Sequence, residues 1–403
     1  LMKEESLLLL SDLQKLINQV VLIDYTIIIL GGIAMSVYLD YNASAPIKED
    51  VLECMVEVYR NAIGNADSRT HSYGETARNV VETARKQVAS LLAVNPDEIF
   101  FTSGATESNN IAIQGLREYA LENGKKHIIT TSIEHKAILE TVKSMEREGF
   151  EVEFVSPNLS GRVDAEEVLS KVRDDTLLVS VMHVNNETGI IQPVKEIGDA
   201  LNERGTLFHI DATQSCGKLV DEIRDLHYNM LSFSAHKLMG PQGVGVLVLK
   251  KNRYKLPPVK NIMYGGQQEH GLRPGTIPVA LVAGCGRACE IAEQNYLDNE
   301  IKLQAIKHDI LDSIRQAEIK YKINGDQNYC VNSTLNICFL GVSSEALMLS
   351  TKQYCSISNG SACTSQNYSP SYVLTAMGIP EDEIESSVRI SWGPESNKGE
   401  VIR

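Results

Sequence analysis

The sequence contains no pair of cysteines in a C-x-x-C arrangement. Its eight cysteines lie singly along the chain, and the two nearest to each other are Cys285 and Cys289. This distribution fits neither a disulfide framework nor a zinc ribbon, and we expect no metal site. On a helix, Cys285 and Cys289 would share one face, so we expect them to pack in the core of a reduced, cytoplasmic protein.

Long apolar runs and an excess of basic residues are also missing. The apolar stretch at 25–34 is too short to cross a bilayer, and acidic residues stand where a signal peptide needs basic ones. We therefore expect no membrane partner, and we expect residues 1–34 to be an extension outside the core fold, an additional packed helix being the alternative. The net charge of −14 argues against direct binding of nucleic acid.

No internal repeat is visible, and apolar strand-like runs alternate instead with helical patterns such as 76–93 and 194–205. The runs are rich in Val, Ile and Leu without polar alternation, which indicates strands that are covered on both faces. The predicted strands are 97–103, 126–132, 176–184, 206–213, 228–235 and 244–250. Their alternation with helices predicts an α/β protein with a mostly parallel central sheet.

The pattern changes near residue 295, which indicates a second, smaller α+β domain. We expect a large domain over 47–295 and a small domain formed by 35–46 together with 296–403, including a loop at about 356–369. The elements predicted in the small domain are a polar helix at 297–316, a strand at 333–340, a helix at 344–351, a strand at 354–358 and a helix at 370–377. Ser369 is the predicted N-cap of the last helix.

Polar side chains gather where the predicted strands end, which is the edge at which open α/β sheets bind ligands. In "TSGATESNN" (102–110) a strand gives way to a helix that begins near Ala105 and Thr106. Free N–H groups and a hydroxyl at such a helix start can hold an anion. An ordinary capped turn is the alternative.

Two further strand ends carry a carboxylate and a lysine. In "HIDATQS" (209–215) Asp211 ends an apolar run and Gln214 follows; the alternative for Asp211 is a helix N-cap. In "SFSAHKLMG" (232–240) Lys237 follows Ser234 and His236. A lysine at this position can be desolvated, which suits Schiff-base chemistry, although an exposed surface lysine is the alternative.

His135 and Asn186 follow two other predicted strands, and neither residue by itself indicates a site. For His135, a purely structural histidine is the common alternative. An anion cradle, a carboxylate and a lysine at one sheet edge match pyridoxal phosphate, whose enzymes use a lysine Schiff base and a carboxylate on the pyridine nitrogen.

Eight motifs occur in the order in which the cysteine desulfurases of the NifS/IscS kind carry them, and the chain resembles this family from about residue 36 to the low 390s. The motifs are "YLDYNASAP", "FTSGATESNN", "EHKAIL", "MHVNNETG", "HIDATQS", "SFSAHKLMGPQGVG", "GLRPGTIPV" and "SNGSACTS". The resemblance implies a fold-type I pyridoxal-phosphate enzyme of the class V aminotransferase superfamily.

The resemblance also implies roles for the residues that hold the cofactor. Lys237 matches the Schiff-base lysine, Asp211 the partner of the pyridine nitrogen and Gln214 the partner of the ring hydroxyl. His135 matches the histidine that stacks on the ring and acts as general acid and base. The phosphate ligands match Ala105, Thr106, Ser234, His236 and, from the other subunit of a homodimer, Thr276.

The remaining roles concern the substrate and the sulfur. By resemblance Asn186, which also touches the cofactor, and Arg389 hold L-cysteine, with Arg389 on its carboxylate. Cys363 in "SNGSACTS" (358–365) matches the cysteine that receives sulfur as a persulfide, and its small neighbours predict a flexible tether. One departure from the family is "NASAP" (42–46) in place of the more usual Ala-Thr-Thr-Pro, which is expected to alter hydrogen bonds near the site entrance.

The activity implied is conversion of L-cysteine to L-alanine, with sulfur passed to a protein acceptor for iron–sulfur cluster assembly, tRNA thiolation or DNA phosphorothioation. Two alternatives stay open on the residues. One is a different pyridoxal-phosphate reaction on the same fold, such as a selenocysteine lyase, which needs no cysteine nucleophile. The other is a non-catalytic relative that serves as a scaffold or relay.

Overall fold

The computed structural model describes residues 36–359 and 370–396. The predicted extension 1–34 and the segment that carries Cys363 lie outside the described residues. The strands are β1 (Val37–Tyr38), β2 (Ile99–Thr102), β3 (His127–Thr131), β4 (Glu151–Val155), β5 (Thr176–Met182), β6 (Leu207–Asp211), β7 (Met230–Ser234), β8 (Gly245–Leu249), β9 (Tyr321–Ile323), β10 (Thr334–Phe339), β11 (Cys355–Ser356) and β12 (Ser387–Ser391).

The helices connect these strands and cover the sheets. In chain order they are α1 (Glu49–Asn61), α2 (Ser72–Leu92), α3 (Ala105–Gln114), α4 (Arg117–Asn123), α5 (Lys136–Glu146), α6 (Ala165–Ser170), α7 (Val194–Arg204), α8 (Val220–Arg224), α9 (Val279–Gln316), α10 (Ser344–Thr351), α11 (Tyr372–Ala376) and α12 (Glu381–Glu385). Among the described residues, none of these helices is both long enough and apolar enough to cross a membrane.

The central sheet has the strand order β2-β8-β7-β6-β5-β3-β4, and only β8 runs against the other described strands. Successive side chains of β8 join two different cores, Val246 and Val248 on one face and Leu247 and Leu249 on the other. Because neighbouring residues of a strand point to opposite faces, helices must cover the sheet on both sides. The mostly parallel α/β sheet predicted from the sequence is therefore confirmed.

The six predicted strands are all present, but the seventh, β4, was not predicted. Its sequence EVEFV is only partly buried, and it lies at the edge of the sheet beside β3. An edge strand of this kind contains polar residues and therefore lacks the continuous apolar run by which the buried strands were predicted.

Two smaller sheets lie beyond the central one. Strands β12, β10 and β9 form an antiparallel sheet, and β1 pairs in parallel with β11. Their core includes Leu39 from the start of the described chain, Leu303 from α9 and Trp392. The proposed division into two domains stays a prediction, since α9 runs without a break across its boundary near residue 295.

One helix start differs from the prediction. Helix α11 begins at Tyr372 and its N-cap is Ser371, whose side chain accepts a hydrogen bond from the Leu374 N–H group. Ser369, the predicted N-cap, lies outside the described residues. Both serines precede an apolar turn, so the sequence did not distinguish them.

Candidate functional site

A cleft of about 590 Å³ opens at the carboxyl edge of the parallel strands, a volume typical of small-molecule sites. It is lined by ten of the predicted site residues and by one residue of the "NASAP" segment. They are Ala105, Thr106, His135, Asn186, Asp211, Gln214, Ser234, His236, Lys237, Arg389 and, from the "NASAP" segment, Asn42. The fold thus brings together side chains that are far apart in the sequence.

The start of α3 forms one end of the cleft. Its N-cap is Gly104, which has no side chain to satisfy the first N–H groups of the helix. A β-carbon at Gly245 of β8 would lie 2.5 Å from Gly104 Cα, so glycine is needed there for the turn to approach the sheet. The turn leaves N–H groups of Ala105 and Thr106 directed outward, as a phosphate site requires.

The histidine and serine beside this helix start are neutral donors. His236 lies in the 3-10 turn after β7, and its Nδ1 is 3.2 Å from the Ser44 hydroxyl. Burial and the charge of Lys237 lower the pKa of His236 to about 4. Ser234 is buried at the end of β7. These groups and the α3 N–H groups can bind a phosphate.

Lys237 follows in the same 3-10 turn, and its position is fixed by the "NASAP" segment. Its Nζ donates to the carbonyl oxygens of Asn42 at 2.5 Å and Ala43 at 2.6 Å. The Asn42 side chain in turn donates to Asn186 O and Thr334 Oγ1. The departure from the family pattern at 42–46 therefore lies in contact with the site, as the sequence predicts, with Ser44 accepting from Gln242.

Asp211 ends β6 and is 4% exposed. Two donors hold its carboxylate, the Asn109 amide at 2.8 Å and the Thr213 N–H group at 2.9 Å. Asn109 was not predicted as a site residue, although it lies within the quoted motif "TSGATESNN". It is fully buried in α3, and only the fold places it next to Asp211.

His135 is the N-cap of α5, with its Nδ1 accepting from the Ala137 N–H group at 3.1 Å. This bond leaves Nε2 for the cleft. Burial lowers the pKa of the His135 imidazole, so the ring is neutral at neutral pH. A neutral ring can stack on a planar ligand and accept a proton.

Asn186 and Arg389 close the opposite end of the cleft. The Asn185 side chain accepts hydrogen bonds from the Glu187 and Thr188 N–H groups and thereby fixes the turn that presents Asn186. Arg389 projects from β12 and donates to Asn186 O at 2.9 Å. The small sheet therefore supplies the cation at this end.

Several buried polar atoms of the cleft have no hydrogen-bond partner among the described residues, and these atoms show whether the cleft fits a polar ligand. They are Gln214 Oε1, Thr213 Oγ1, Asn186 Oδ1 and Arg389 Nε. Buried polar atoms are normally paired, so atoms of this kind facing one cleft indicate a polar ligand. A phosphate at α3, a ring nitrogen at Asp211 and a ring hydroxyl at Gln214 Oε1 would satisfy the requirements of pyridoxal phosphate.

Among the described residues, one predicted site residue does not line this cleft. Thr276 is exposed and lies outside the lining of its own chain's cleft. Cys363 lies outside the described residues, so its role stays a prediction. The assigned roles of the lining residues also stay predictions at this point.

Glu134, beside His135, is a fully buried carboxyl that the sequence did not single out. Its Oε1 accepts from the Thr131 hydroxyl and the Met182 N–H group, which ties the end of β3 to the end of β5. Its Oε2 has no hydrogen-bond partner in the part of the chain that the structure describes. Burial raises the pKa of Glu134 from 4.5 to about 8, so the folded protein carries this group protonated at neutral pH.

We expect Glu134→Gln to stabilise the protein at alkaline pH. The unfolded chain loses this proton near pH 4.5 while the folded protein keeps it to about 8, so folding takes up a proton in between. The contribution of this group to the free energy of unfolding is therefore lost as pH rises through that window. Because the glutamine amide does not ionise, the variant avoids this loss, and its free energy of unfolding should exceed the parent's by on the order of 2 kcal/mol. Chemical denaturation of parent and variant at about pH 5 and pH 8 checks this prediction. An equal increase in the free energy of unfolding at both pH values would contradict it. Glu140→Gln, at an exposed position, is the control.

One cluster outside the cleft brings together a histidine and two carboxylates. Within the described ranges, His127, Glu151 and Glu153 are the group close enough to share a cation. Arg173 binds both oxygens of Glu151, and Lys171 binds Glu153. The carboxylates are thus already paired with cations, and the cluster is an ion-pair network at the opposite end of β3.

Comparison with known proteins covers nearly the whole chain. The sequence matches the class-V aminotransferase family over residues 37–403. It is 42% identical to "Cysteine desulfurase IscS" of Vibrio campbellii over 370 residues, which cover 91% of this chain and 90% of that protein. A solved NifS-like protein superposes with a TM-score of 0.83 at 36% identity, covering 91% of this chain and 96% of the other.

A second solved structure, SspA in complex with cysteine, superposes with a TM-score of 0.79 at 36% identity, covering 90% of this chain and all of the other. These similarities include every element that contributes to the cleft. They confirm the predicted resemblance and the predicted fold class.

Proposed function

Because the chain belongs to the class-V aminotransferase family, we propose that it is a pyridoxal-phosphate-dependent cysteine desulfurase. It converts L-cysteine to L-alanine and transfers the sulfur to the thiol of Cys363. The observation that carries the proposal is the convergence of Lys237, Asp211 and Arg389 on one cleft, where several buried polar atoms have no partner among the residues described.

The cofactor is held by groups at two ends of the cleft. The α3 N–H groups, Thr106, Ser234 and His236 would hold its phosphate, and Asp211 would pair with its pyridine nitrogen. When bound, pyridoxal phosphate supplies an electron sink for the charge left at the substrate Cα. Gln214 and His135 orient the ring from its edge and its face.

The substrate is held by its carboxylate. The buried Nε of Arg389 has no partner in the described part of the chain, and a guanidinium can bind a carboxylate through two parallel hydrogen bonds. Asn186 Oδ1, also without a partner there, can accept a hydrogen bond from the substrate. These contacts place the Cα proton near Lys237, whose amine removes it and returns a proton to the carbon skeleton.

Sulfur transfer requires a thiolate. The Cys363 thiolate attacks the substrate sulfur, so that a new S–S bond forms as the Cβ–S bond breaks and Cβ takes a proton. The products are L-alanine and the Cys363 persulfide, and no external oxidant is needed. Neutral His135 is the proposed proton carrier at this step, because burial keeps its pKa below the usual range.

Five of the seven cysteines in the described residues are poor candidates for this step. Burial raises the pKa values of Cys54, Cys216, Cys330, Cys338 and Cys355, which keeps their thiols protonated at neutral pH. This supports Cys363 as the acceptor.

The two ends of the Cys363 segment are anchored beside the cleft. Ser358 pairs with Arg389 through two backbone hydrogen bonds, and the Ser371 hydroxyl donates to Glu187, next to Asn186, at 2.5 Å. The described residues on either side of the Cys363 segment are therefore tied to Arg389 and to the neighbour of Asn186, which supports Cys363 as the sulfur acceptor.

We also propose a homodimer and a protein acceptor. Thr276 is exposed, and Tyr264 of the preceding segment is 90% exposed, which supports contact of this surface with a second subunit whose phosphate site Thr276 completes. The persulfide sulfur then passes to an acceptor protein in the cytoplasm for iron–sulfur cluster assembly, tRNA thiolation or DNA phosphorothioation.

The activity is tested by incubating the cofactor-loaded protein with L-cysteine and a thiol reductant. We expect alanine and sulfide in equal amounts. No alanine would overturn the assignment as an enzyme of this reaction, and alanine without sulfide would overturn the sulfur-transfer step.

Asn109→Ala should lower kcat by about tenfold with little change in KM, because Asp211 loses one of the two donors that hold its carboxylate against the cofactor. Cofactor affinity, measured by titration of the cofactor-free protein, should fall as well. An exposed asparagine, Asn123, provides the control. If both variants behave as the parent does, Asn109 has no part in positioning Asp211.

A further inference from the structure

The arginine assigned to the substrate carboxylate already has a carboxylate partner in its own chain. Asp40 Oδ1 lies 2.6 Å from a terminal nitrogen of Arg389. The Arg389 side chain is 3% exposed and the Asp40 side chain 18%, so water screens this ion pair only weakly. The mechanism proposed above makes no use of Asp40.

The geometry leaves part of Arg389 available. One terminal nitrogen donates to Asn186 O and the other donates to Asp40, while the buried Nε has no partner within residues 36–359 and 370–396. Asp40 takes only one hydrogen bond of a guanidinium that has five N–H groups. Asp40 and Asn186 together therefore fix the plane of the guanidinium while its Nε edge stays open.

The main chain at Asp40 is held without help from its carboxylate. The Tyr41 N–H group donates to Ser391 O, and the Ser391 N–H group donates to Leu39 O. The carboxylate is thus not required to attach this segment to β12. Its closest described partner is the arginine of the cleft.

We propose that Asp40 is a positioning residue that sets the affinity of Arg389 for the carboxylate of the amino-acid substrate and product. This inference rests on the proposed function, in which Arg389 binds that carboxylate. L-cysteine and L-alanine carry the same carboxylate, so a buried arginine without a counter-charge would hold both tightly. If Arg389 binds the carboxylate equally tightly in the transition state and in the product, this binding slows release of L-alanine and does not raise kcat.

Asp40 acts in two ways that substitutions separate. Its negative charge offsets part of the Arg389 charge, and its hydrogen bond orients the guanidinium. Asp40→Asn removes the charge but keeps an oxygen acceptor. Asp40→Ala removes both.

The test compares L-alanine with ethylamine, which lacks only the carboxylate, by titration calorimetry on the cofactor-loaded protein. Asp40→Asn should bind L-alanine about tenfold more tightly than the parent, with ethylamine unchanged. Both KM for L-cysteine and kcat should fall, because product leaves more slowly. Asp40→Ala should bind L-alanine more weakly, again with ethylamine unchanged.

The matched control is Glu395→Gln, which removes a carboxylate paired with Lys48 outside the cleft. It should leave both affinities unchanged. An Asp40→Asn protein whose preference for L-alanine over ethylamine stays within about twofold of the parent overturns the role of Asp40. A parent protein that shows no such preference instead overturns the assignment of Arg389 to the carboxylate, so the two failures are distinguishable.

Discussion

Cys363→Ser should reduce sulfide release from L-cysteine by about 100-fold or more while the cofactor stays bound. A serine hydroxyl ionises far less readily than a thiol and cannot carry sulfur as a persulfide. The groups proposed to hold the cofactor, among them Asp211 and Lys237 of the cleft, keep their side chains in this variant. We therefore expect a protein with the parent's visible absorption band and almost no turnover.

The matched control for this substitution is Cys355→Ser. Cys355 is half-buried in β11, and burial raises the pKa of its thiol. We expect this variant to release sulfide at the parent's rate. Full sulfide release by the Cys363→Ser protein would instead favour a lyase of the same fold, which needs no cysteine nucleophile.

Lys237→Ala should abolish both the visible absorption of the bound cofactor and alanine formation, the latter by about 10³-fold or more. The lysine has two roles in the proposed reaction, since it forms the covalent link to pyridoxal phosphate and moves the Cα proton. Its Nζ lies among the polar groups of the cleft, held by the carbonyls of Asn42 and Ala43.

Lys250→Ala is the control for this second substitution. Burial lowers the pKa of Lys250, and its ammonium group lies 4.6 Å from the centre of the Tyr228 ring, away from the cleft. We expect it to keep the absorption band and the activity. A Lys237→Ala protein that is still coloured by the cofactor and still forms alanine would contradict the assigned role.

The sequence predicted the buried strands well because their apolar runs are long and unbroken. Strand β5 is buried at every residue, and its prediction was correct to within two residues. Edge strand β4 was missed because its residues EVEFV are mostly exposed or half-buried. The boundary near residue 295 falls inside α9, where a change of composition does not interrupt the helix.

The site residues that belong to the quoted sequence motifs were predictable from the sequence. Lys237, Asp211, His135 and Asn186 line one cleft, as their strand-end positions indicated. The supporting residues were not predictable in the same way. Asp40, Asn109 and Glu134 gain their significance only from partners far away in the sequence, to which no local pattern points.

The central claim is that Cys363 receives sulfur from L-cysteine, and one single-turnover measurement tests it most directly. The cofactor-loaded protein is mixed with L-cysteine without reductant, and its peptides are analysed by mass spectrometry while alanine is counted. The account predicts one additional sulfur atom on the peptide that contains Cys363, matched by one alanine per sulfur. Alanine formation with the added sulfur on another cysteine, or on none, would contradict it.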